Sequence, residues 1–486
     1  MSSSYNPLNW RRTNLSILDY FPYDEFRDLQ REVLLQLQRE WDKYDVFVIV
    51  APTSAGKTAL CTTIGRWAGE ARITTPNNML VKQYGAEYPD IPTIMGGDNY
   101  RGGFVPSLTK KMWERSDLQI CNNHYHALYI KQNRWRHAPK VFIADEAHNL
   151  LKFQQDINSL THWKHRNNFP YNKEDKNSLL KWLSSLKKKN AFHKALKHTL
   201  TSDNPEYILE TDFSEWRGGG YTGDGKKIKR CSHPDEEGQW LPQMKLTPID
   251  VSRMRGVLWP SKTQKIVLLS ATIGKKDVEA LGLGRKRVRY MECNHPIKYD
   301  RRPVINDWVT PVRHNNFEEA TIEICNYLND SGILEYHKGQ KGLIHATYSQ
   351  ADIMKRHLKD SRFIFHTSEN KREKYQEFMN SDPGEGKVLV ASGMYEGLDL
   401  PDDLGRWQAI TKVPWPSLGD PATKYKAERD SEWYEWQTLK DMIQACGRIC
   451  RNPTDFGVSY ILDGTFKGLK ESELAPKWFR DALYDY

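Results

Sequence analysis

The sequence predicts an α/β protein in which two doubly wound parallel sheets follow each other and a mainly helical insertion interrupts the first. Short apolar runs rich in β-branched residues recur along the chain, and helical patterns separate most of them. This alternation stops between residues 151 and 245 and then resumes. A second series of the same kind begins after residue 299, so we expect two α/β domains and one insertion.

The first series begins with a helical segment, because apolar residues recur at helical spacing within residues 15–45. These residues are Leu29, Val33, Leu34, Leu37 and Trp41. Candidate strands then cover residues 46–50, 72–75, 117–121, 141–144 and 266–269. We therefore assign residues 1–150 and 246–298 to the first domain.

The insertion, residues 151–245, is rich in basic residues. Ten Lys and Arg residues lie between His162 and His198. Five aromatic residues are interleaved with them, namely Trp163, Phe169, Tyr171, Trp182 and Phe192. This mixture is typical of a surface that guides a nucleic-acid strand, and an ordinary solvated helical face is the alternative.

The second series predicts strands at residues 342–345, 363–366, 387–391, 409–412 and 459–462. We assign residues 299–486 to this second domain. Two sheets of this kind in tandem predict two RecA-like lobes with a cleft between them.

Composition narrows the class of protein. The net charge of +9 and the isoelectric point near 8.9 suit a polyanionic partner. No apolar run reaches the roughly 18 residues of a membrane span, and residues 1–6 lack the apolar core of a signal peptide. The seven cysteines are scattered and odd in number, which is typical of a reducing compartment. We expect an intracellular, cytoplasmic protein without a membrane partner.

A phosphate-binding loop follows the first strand. The consensus is G-x-x-x-x-G-K-[ST], and here Ala51 replaces its first glycine. Lys57 should neutralise the β- and γ-phosphates, and Thr58 should ligate Mg²⁺. The predicted ATP-binding residues of this loop are Thr53, Ser54, Ala55, Gly56, Lys57 and Thr58.

A second polar motif, residues 145–148, follows the strand at 141–144. Because ligands bind at the carboxyl ends of strands in open α/β sheets, Asp145 should help to hold Mg²⁺. Glu146 is then placed to orient and deprotonate the attacking water. His148 is expected to couple this site to another motif. The two motifs together predict an ATPase.

Near the carboxyl terminus, Gln444, Arg448 and Arg451 recur at i, i+4 and i+7. On a helix this spacing places them on one face, from which arginine fingers can reach a γ-phosphate from the opposite lobe. A solvated basic stripe is the alternative. With a phosphate loop upstream, the pattern favours the fingers.

The order of these motifs resembles that of superfamily 2 helicases. The set comprises the phosphate loop, the Asp-Glu-Ala-His box at 145–148, Ser-Ala-Thr at 270–272 and Q-x-x-G-R-x-x-R at 444–451. Residues 248–251, 414–421, 99–100 and 123–124 are similar to segments of XPD-like and DinG-like helicases. The insertion would then correspond to their Arch domain.

This resemblance implies further site residues. Ser270, Ala271 and Thr272 would link hydrolysis to the grip on nucleic acid, while Arg27 and Gln30 would contact the adenine side of ATP. In the second lobe, Gly393 would belong to a motif that bridges ATP and the strand, with Glu396, Gly397 and Asp399. Nucleic-acid contacts would come from Thr75, Pro76, Asn77, Asn123, His124, Tyr348 and Ser349. A role as a loop cap or turn residue is the alternative for each of these contacts.

One departure from the family concerns an iron–sulfur cluster. Many relatives carry four cysteines between the phosphate loop and the Asp-Glu-Ala-His box, whereas this chain has only Cys61 and Cys121 there. Four thiolates are needed, so we expect ATP and Mg²⁺ but no cluster. In cluster-bearing relatives this element lies where the duplex splits.

The sequence thus predicts an ATP-dependent helicase or translocase that acts on single-stranded or forked DNA. The resemblance implies 5′→3′ polarity and a role of the DNA-repair type. Alternatives are a motor that clamps, anneals or remodels without unwinding, and an RNA helicase. A non-hydrolysing nucleic-acid scaffold is disfavoured by the intact catalytic residues. We expect a monomer, and the compact length also suits a viral protein in a host cell.

Overall fold

The computed structural model describes residues 15–27, 29–52, 55–100, 103–134, 138–163, 175–202, 205–217, 220–221, 227–228, 239–254, 256, 258–394 and 398–485. Its α-helices are α1 Gln30–Glu40, α2 Lys57–Ala68, α3 Asn78–Glu87, α4 Ser107–Arg115, α5 Asn123–Tyr129, α6 Leu150–Asn158, α7 Lys176–Ser185, α8 Ala191–Thr201, α9 Lys275–Ala280, α10 Phe317–Asp330, α11 Ile333–Tyr336, α12 Tyr348–His357, α13 Lys371–Asn380, α14 Pro421–Ala427, α15 Ser431–Cys446 and α16 Lys477–Arg480.

The strands carry the same chain-order numbering. They are β1 Val46–Val50, β2 Ala71–Thr75, β3 Thr93–Ile94, β4 Leu118–Asn122, β5 Val141–Ala144, β6 Leu160–Trp163, β7 Tyr207–Arg217, β8 Gly220–Tyr221, β9 Lys227–Ile228, β10 Gln239–Pro248, β11 Lys265–Ser270, β12 Val288–Glu292, β13 Val304–Thr310, β14 Gly342–Ala346, β15 Phe363–Ile364, β16 Val388–Ser392, β17 Trp407–Ile410, β18 Val458–Asp463 and β19 Leu483–Asp485.

The first lobe is built on a seven-stranded parallel sheet in the order β12-β1-β11-β5-β2-β4-β3. Its central strands are apolar and buried on both faces, as parallel sheets between helix layers require. One hydrophobic cluster packs α1 and α2 against one face, and a second packs α6 and α9 against the other. Because β1, β11 and β5 are neighbours, the residues that follow these strands meet at one sheet edge.

The second lobe contains another seven-stranded parallel sheet, in the order β15-β16-β14-β17-β18-β13-β19. Helices α10 and α12 pack on one face of it, and α15 packs on the other. The predicted fold class, two doubly wound parallel-sheet domains in tandem, is therefore confirmed.

The insertion differs from its predicted, mainly helical character. Helices α7 and α8 pack on a three-stranded antiparallel sheet in the order β6-β10-β7, which the sequence patterns did not indicate. Trp182 and Phe192 are 7% and 3% exposed and lie in the core between helices and sheet, so they do not offer stacking surface. Phe169 and Tyr171 lie outside the described residues. The lysines of α7 and α8 remain on the outside.

The boundaries of the insertion also depend on packing. Leu150, Leu151 and Phe153 of α6 belong to the first-lobe core, although the predicted insertion begins at residue 151. Among the residues described above, no helix combines the length and the apolar composition needed to span a bilayer.

The helix predicted for residues 15–45 is shorter than expected. A 3₁₀ turn at Ile17–Tyr20 comes first, and α1 covers only Gln30–Glu40. Leu29 has a φ of 58°, a left-handed backbone that cannot continue a helix from the preceding residues. This start brings Gln30 to the phosphate loop.

Candidate nucleotide-hydrolysis site

The phosphate loop leads directly into α2. Gly56 caps this helix with a φ of 71°, and Lys57 begins it. The Gln30 Nε2 atom donates to the carbonyl oxygens of Ala55 at 2.7 Å and of Gly56 at 3.4 Å. A Cβ at position 56 would lie 2.5 Å from that Nε2, so both the backbone angle and the Gln30 side chain require glycine.

This arrangement gives Gln30 a role at the loop itself. Its Oε1 accepts from the Arg27 backbone N–H at 2.8 Å, which orients the side-chain amide toward the loop carbonyls. The predicted contact with the adenine side of ATP stays a prediction for both residues. Thr53 and Ser54 lie outside the described residues.

Asp145 and Glu146 follow β5, at the sheet edge reached by the phosphate loop. The two oxygens of Asp145 accept from the Tyr84 hydroxyl at 3.0 Å and from the Glu146 backbone N–H at 2.9 Å. Glu146 has a φ of 51°, an unfavourable left-handed backbone for a non-glycine residue that turns its side chain toward α2. Its Oε1 lies 3.1 Å from the Nζ atom of Lys57.

The pKa values of the two carboxyl groups are shifted in opposite directions. Burial and the neighbouring Glu146 charge raise the pKa of Asp145 to about 6. Burial also favours the protonated form of Glu146, but the Lys57 ammonium and a hydrogen bond from His148 outweigh it and lower the pKa of that carboxyl group. Glu146 is therefore held as an anion, the form that a general base needs.

His148 connects this site to the end of β11. Its Nδ1 lies 2.8 Å from the Ser270 hydroxyl oxygen and 3.3 Å from Oε2 of Glu146. The Asn149 amide nitrogen lies 3.0 Å from His148 Nε2, which makes Nε2 the acceptor and Nδ1 the donor. The Thr272 backbone N–H donates to the same Ser270 oxygen at 3.1 Å. The structure thus brings the predicted coupling residues together, with Ala271 buried between Ser270 and Thr272.

The second lobe reaches this network through Gln444. Its Nε2 donates to the Thr272 hydroxyl at 3.1 Å, and its Oε1 accepts from Nη2 of Arg448 at 3.2 Å. Arg448 also donates to the Leu398 carbonyl at 3.2 Å and is 8% exposed. Arg451 pairs with Asp399.

The single helical face predicted for Gln444, Arg448 and Arg451 is wrong. Helix α15 ends at Cys446, and Gly447 caps it. Arg448 and Arg451 lie in the loop that follows, around the bridge between Leu400 and Ile449. Tertiary contacts of that loop therefore align the two arginines, and helical periodicity does not.

The remaining second-lobe residues are only partly described. Gly393 has a φ of 60°, and a Cβ there would lie 3.2 Å from the ring of Tyr348. Glu396 and Gly397 lie outside the described residues.

The predicted nucleic-acid contacts lie after strands of both lobes. Asn77 caps α3 and accepts from the Leu80 N–H at 3.0 Å, and Thr75 donates to the Asn77 carbonyl at 2.9 Å. Asn123 is buried, and the exposed His124 ring lies 4.9 Å from that of Phe153. Pro76 is half-buried, and Ser349 and Tyr348 are exposed. Their contact with nucleic acid stays a prediction.

Sequence reasoning missed the hydroxyl of Tyr84, which contacts Asp145, and a buried contact between lobes formed by Asp277, Trp436 and Lys440. No spacing rule joins these positions, because each contact links distant segments. Cys61 and Cys121 are buried free cysteines on α2 and β4. The expected lack of a cluster stays a prediction.

Comparisons with known proteins agree with this geometry. Residues 343–482 match the family model of the helicase C-terminal domain. The regulator of telomere elongation helicase 1 homolog of Caenorhabditis briggsae is 23% identical over 279 residues, which cover 48% of this chain and 27% of that protein. The homolog of the same name in Drosophila melanogaster is 31% identical over 126 residues, which cover 23% of this chain and 13% of that protein. The chain thus spans about a quarter or less of the length of these relatives.

Solved XPD structures share the fold over nearly the whole chain. S. tokodaii Xpd4 has a TM-score of 0.57 at 14% identity, covering 94% of this chain and 99% of that one. An XPD helicase structure has a TM-score of 0.57 at 13% identity, covering 96% of this chain and 100% of that one. Residues 343–482 thus match a helicase C-terminal domain, and the chain as a whole shares the fold of solved XPD structures.

Proposed function

We propose that the protein is an ATP-dependent helicase or translocase that acts on DNA from a single-stranded region, with 5′→3′ polarity. One observation carries this proposal: side chains, joined at one step by the Thr272 backbone N–H, form a continuous chain of contacts from the phosphate loop to the second lobe. The order is Lys57, Glu146, His148, Ser270, Thr272, Gln444 and Arg448, each within 3.3 Å of the next. Such a chain lets a change at the nucleotide alter the position of the opposite lobe.

The donor set fits Mg²⁺ and ATP. The N-terminus of α2 and the Lys57 ammonium suit phosphate oxygens, while the Thr58 hydroxyl and the Asp145 carboxylate are hard oxygen ligands that would hold Mg²⁺. The bound nucleotide supplies the phosphoanhydride bond. Glu146, held as an anion, accepts the proton of the attacking water.

The second lobe would complete the site. Arg448 donates to Gln444, which in turn contacts Thr272 of the first lobe, so closing of the lobes would bring positive charge toward the phosphates. Arg451 must leave Asp399 to act in the same way. Both arginines would then neutralise charge that develops on the transferred phosphoryl group.

The DNA strand would cross the carboxyl edges of both sheets. Thr75, Asn77 and His124 lie there in the first lobe, and Tyr348 and Ser349 lie there in the second. The net charge of +9 favours a polyanionic partner. RNA is the alternative substrate, since the Asp-Glu-Ala-His box also occurs in RNA helicases.

A motor that clamps or remodels without unwinding is the second candidate, because only Cys61 and Cys121 are available where relatives place a cluster. The deciding experiment measures ATP hydrolysis and strand release on 5′-tailed and 3′-tailed DNA and RNA duplexes. Wild type is compared with Lys57→Ala and with Lys140→Ala, a surface control whose lysine pairs with Glu70.

Release from 5′-tailed DNA by wild type and Lys140→Ala, but not by Lys57→Ala, would support the proposal. Stimulated hydrolysis without strand release would favour the clamp. Wild-type hydrolysis no faster than that of Lys57→Ala would contradict both candidates.

A further inference from the structure

The two lobes also meet in a buried cluster beside the coupling network. We call Asp277 of the first lobe, with Trp436 and Lys440 of the second, the inter-lobe anchor. These residues are 2%, 3% and 5% exposed. Asp277 lies on α9, shortly after Thr272, and the other two lie on α15.

Both oxygens of the Asp277 carboxylate accept hydrogen bonds in this cluster. The carboxylate accepts from Nε1 of Trp436 at 2.6 Å, from Nζ of Lys440 at 2.9 Å and from the Gly274 backbone N–H at 3.0 Å. A buried charge with this many partners is stable, but it becomes costly when one partner is removed. Separating the lobes at this point would therefore leave buried charges without a partner.

Close packing adds a steric constraint. A Cβ at Gly274 would lie 3.2 Å from the Trp436 ring, so glycine lets the indole approach the first-lobe backbone. The indole also packs in the second-lobe core. Trp436 thus belongs to the second-lobe core and contacts the first lobe directly.

The anchor sets the register of α15. Trp436, Lys440 and Gln444 recur at i, i+4 and i+8, so they share one face of this helix. The first two hold Asp277, and the third holds Thr272. Arg448 follows in the loop after α15 and donates to Gln444. The anchor thus fixes the end of α15 from which the loop with Arg448 starts, and the contacts of that loop complete the placement of the arginine.

We propose that Asp277, Trp436 and Lys440 are positioning residues that hold the Gln444–Arg448 segment at the nucleotide cleft. This inference rests on the proposed function as an ATP-driven motor. The anchor stays formed while the outer cleft opens and closes, and it acts as the pivot of that movement. The phosphate loop, with most of the predicted ATP-binding residues, belongs to the first lobe and contains none of the anchor residues, so loss of the anchor should slow hydrolysis and leave binding intact.

The chain supplies a matched control next to Asp277. Lys276 pairs with Asp430 at 3.3 Å and with Glu432 at 2.9 Å across the same boundary between lobes. Its side chain is 33% exposed, and those of its partners are 42% and 63% exposed. Exposed ion pairs contribute little, so Lys276→Met removes an inter-lobe salt bridge without removing the anchor.

The test compares Asp277→Asn, Lys440→Met, the double variant and Lys276→Met in the full chain. Fluorescent-nucleotide titration gives the number of binding sites and their Kd, and steady-state hydrolysis gives kcat per binding site. We expect unchanged stoichiometry, a Kd within about threefold and a kcat at least about tenfold lower for each single anchor variant, because one buried charge is left unpaired.

The double variant should be no slower than the slower single variant, and Lys276→Met should match wild type within about twofold. Equal kcat in wild type and Asp277→Asn would contradict the positioning role of the anchor and would leave the proposed function untouched. A fall in binding stoichiometry that accounts for all of the lost activity, with kcat per binding site unchanged, would also overturn it, since the role would then be merely structural. A wild type as slow as Lys57→Ala would instead contradict the proposed function.

Discussion

The Nζ atom of Lys57 lies 3.1 Å from Oε1 of Glu146, so the predicted phosphate-binding lysine and the candidate base are paired in this structure. Both side chains are largely buried. A γ-phosphate that takes the lysine must therefore compete with the carboxylate. This exchange would free Glu146 to accept a proton only once ATP is in place.

The first prediction concerns Glu146→Gln. We expect ATP affinity to stay equal or to increase, because the neutral amide competes less for Lys57. Hydrolysis should fall about 100-fold or more, since the general base is lost. Nucleotide titration and phosphate release measure the two effects. Glu70→Gln is the control, because Glu70 pairs with Lys140 at the surface of the same lobe. A Glu146→Gln variant that keeps a tenth of the activity would contradict the assignment.

The second prediction concerns the hydrogen bond from Tyr84 to Asp145. In Tyr84→Phe one carboxylate oxygen loses its fixed donor, so the ligand is held less rigidly. We expect the Mg²⁺ concentration for half-maximal hydrolysis to rise several-fold, and kcat at saturating Mg²⁺ to stay within about twofold. Titration of Mg²⁺ at constant ATP measures this.

Tyr88→Phe is the control for Tyr84→Phe, because the Tyr88 hydroxyl lies on the same side of the lobe but donates to Glu87. The same Mg²⁺ requirement in both variants would show that Tyr84 does not orient Asp145.

The third prediction is a coupling between His148 and Ser270, whose side chains are 2.8 Å apart. His148→Ala and Ser270→Ala should each reduce strand release more than ATP hydrolysis. Strand release by the double variant should be no slower than that by the more impaired single variant, because both substitutions remove the same contact. Effects that add would contradict the coupling. Ser116 precedes the amino-terminal end of β4, whereas His148 and Ser270 lie at the carboxyl ends of strands. The effects of Ser116→Ala and His148→Ala should therefore add in the double variant.

The fourth prediction tests packing in the second lobe. A Cβ at Gly342 would lie 2.2 Å from the Trp407 ring, and both residues are buried in neighbouring strands. Gly342→Ala should lower the free energy of unfolding by about 1–3 kcal/mol. Gly468→Ala, where a Cβ meets open space, should change it by less than about 0.5 kcal/mol. Denaturant unfolding measures both, and equal midpoints would contradict the predicted clash.

Local patterns predicted much of the fold. The runs around Val46–Val50 and Val141–Ala144 form strands at the expected residues, because buried parallel strands carry continuous β-branched apolar sequence. The patterns did not predict the small antiparallel sheet of the insertion, since β7 and β10 contain many polar residues and are separated in sequence by residues 218–238. The sequence around Leu29 did not indicate the left-handed backbone of this residue, which makes α1 start later than predicted.

The sequence by itself determined which chemistry is present: a lysine after a strand, two carboxylates after another strand and a glutamine with two arginines near the end. Strand ends and motif spacing are local properties, so they can be recognised without coordinates. The tertiary structure alone decided how these groups meet. It pairs Lys57 with Glu146, gives Asp145 the Tyr84 hydroxyl and ends α15 before Arg448. Such contacts join segments far apart in the chain, and burial and charge pairing select them.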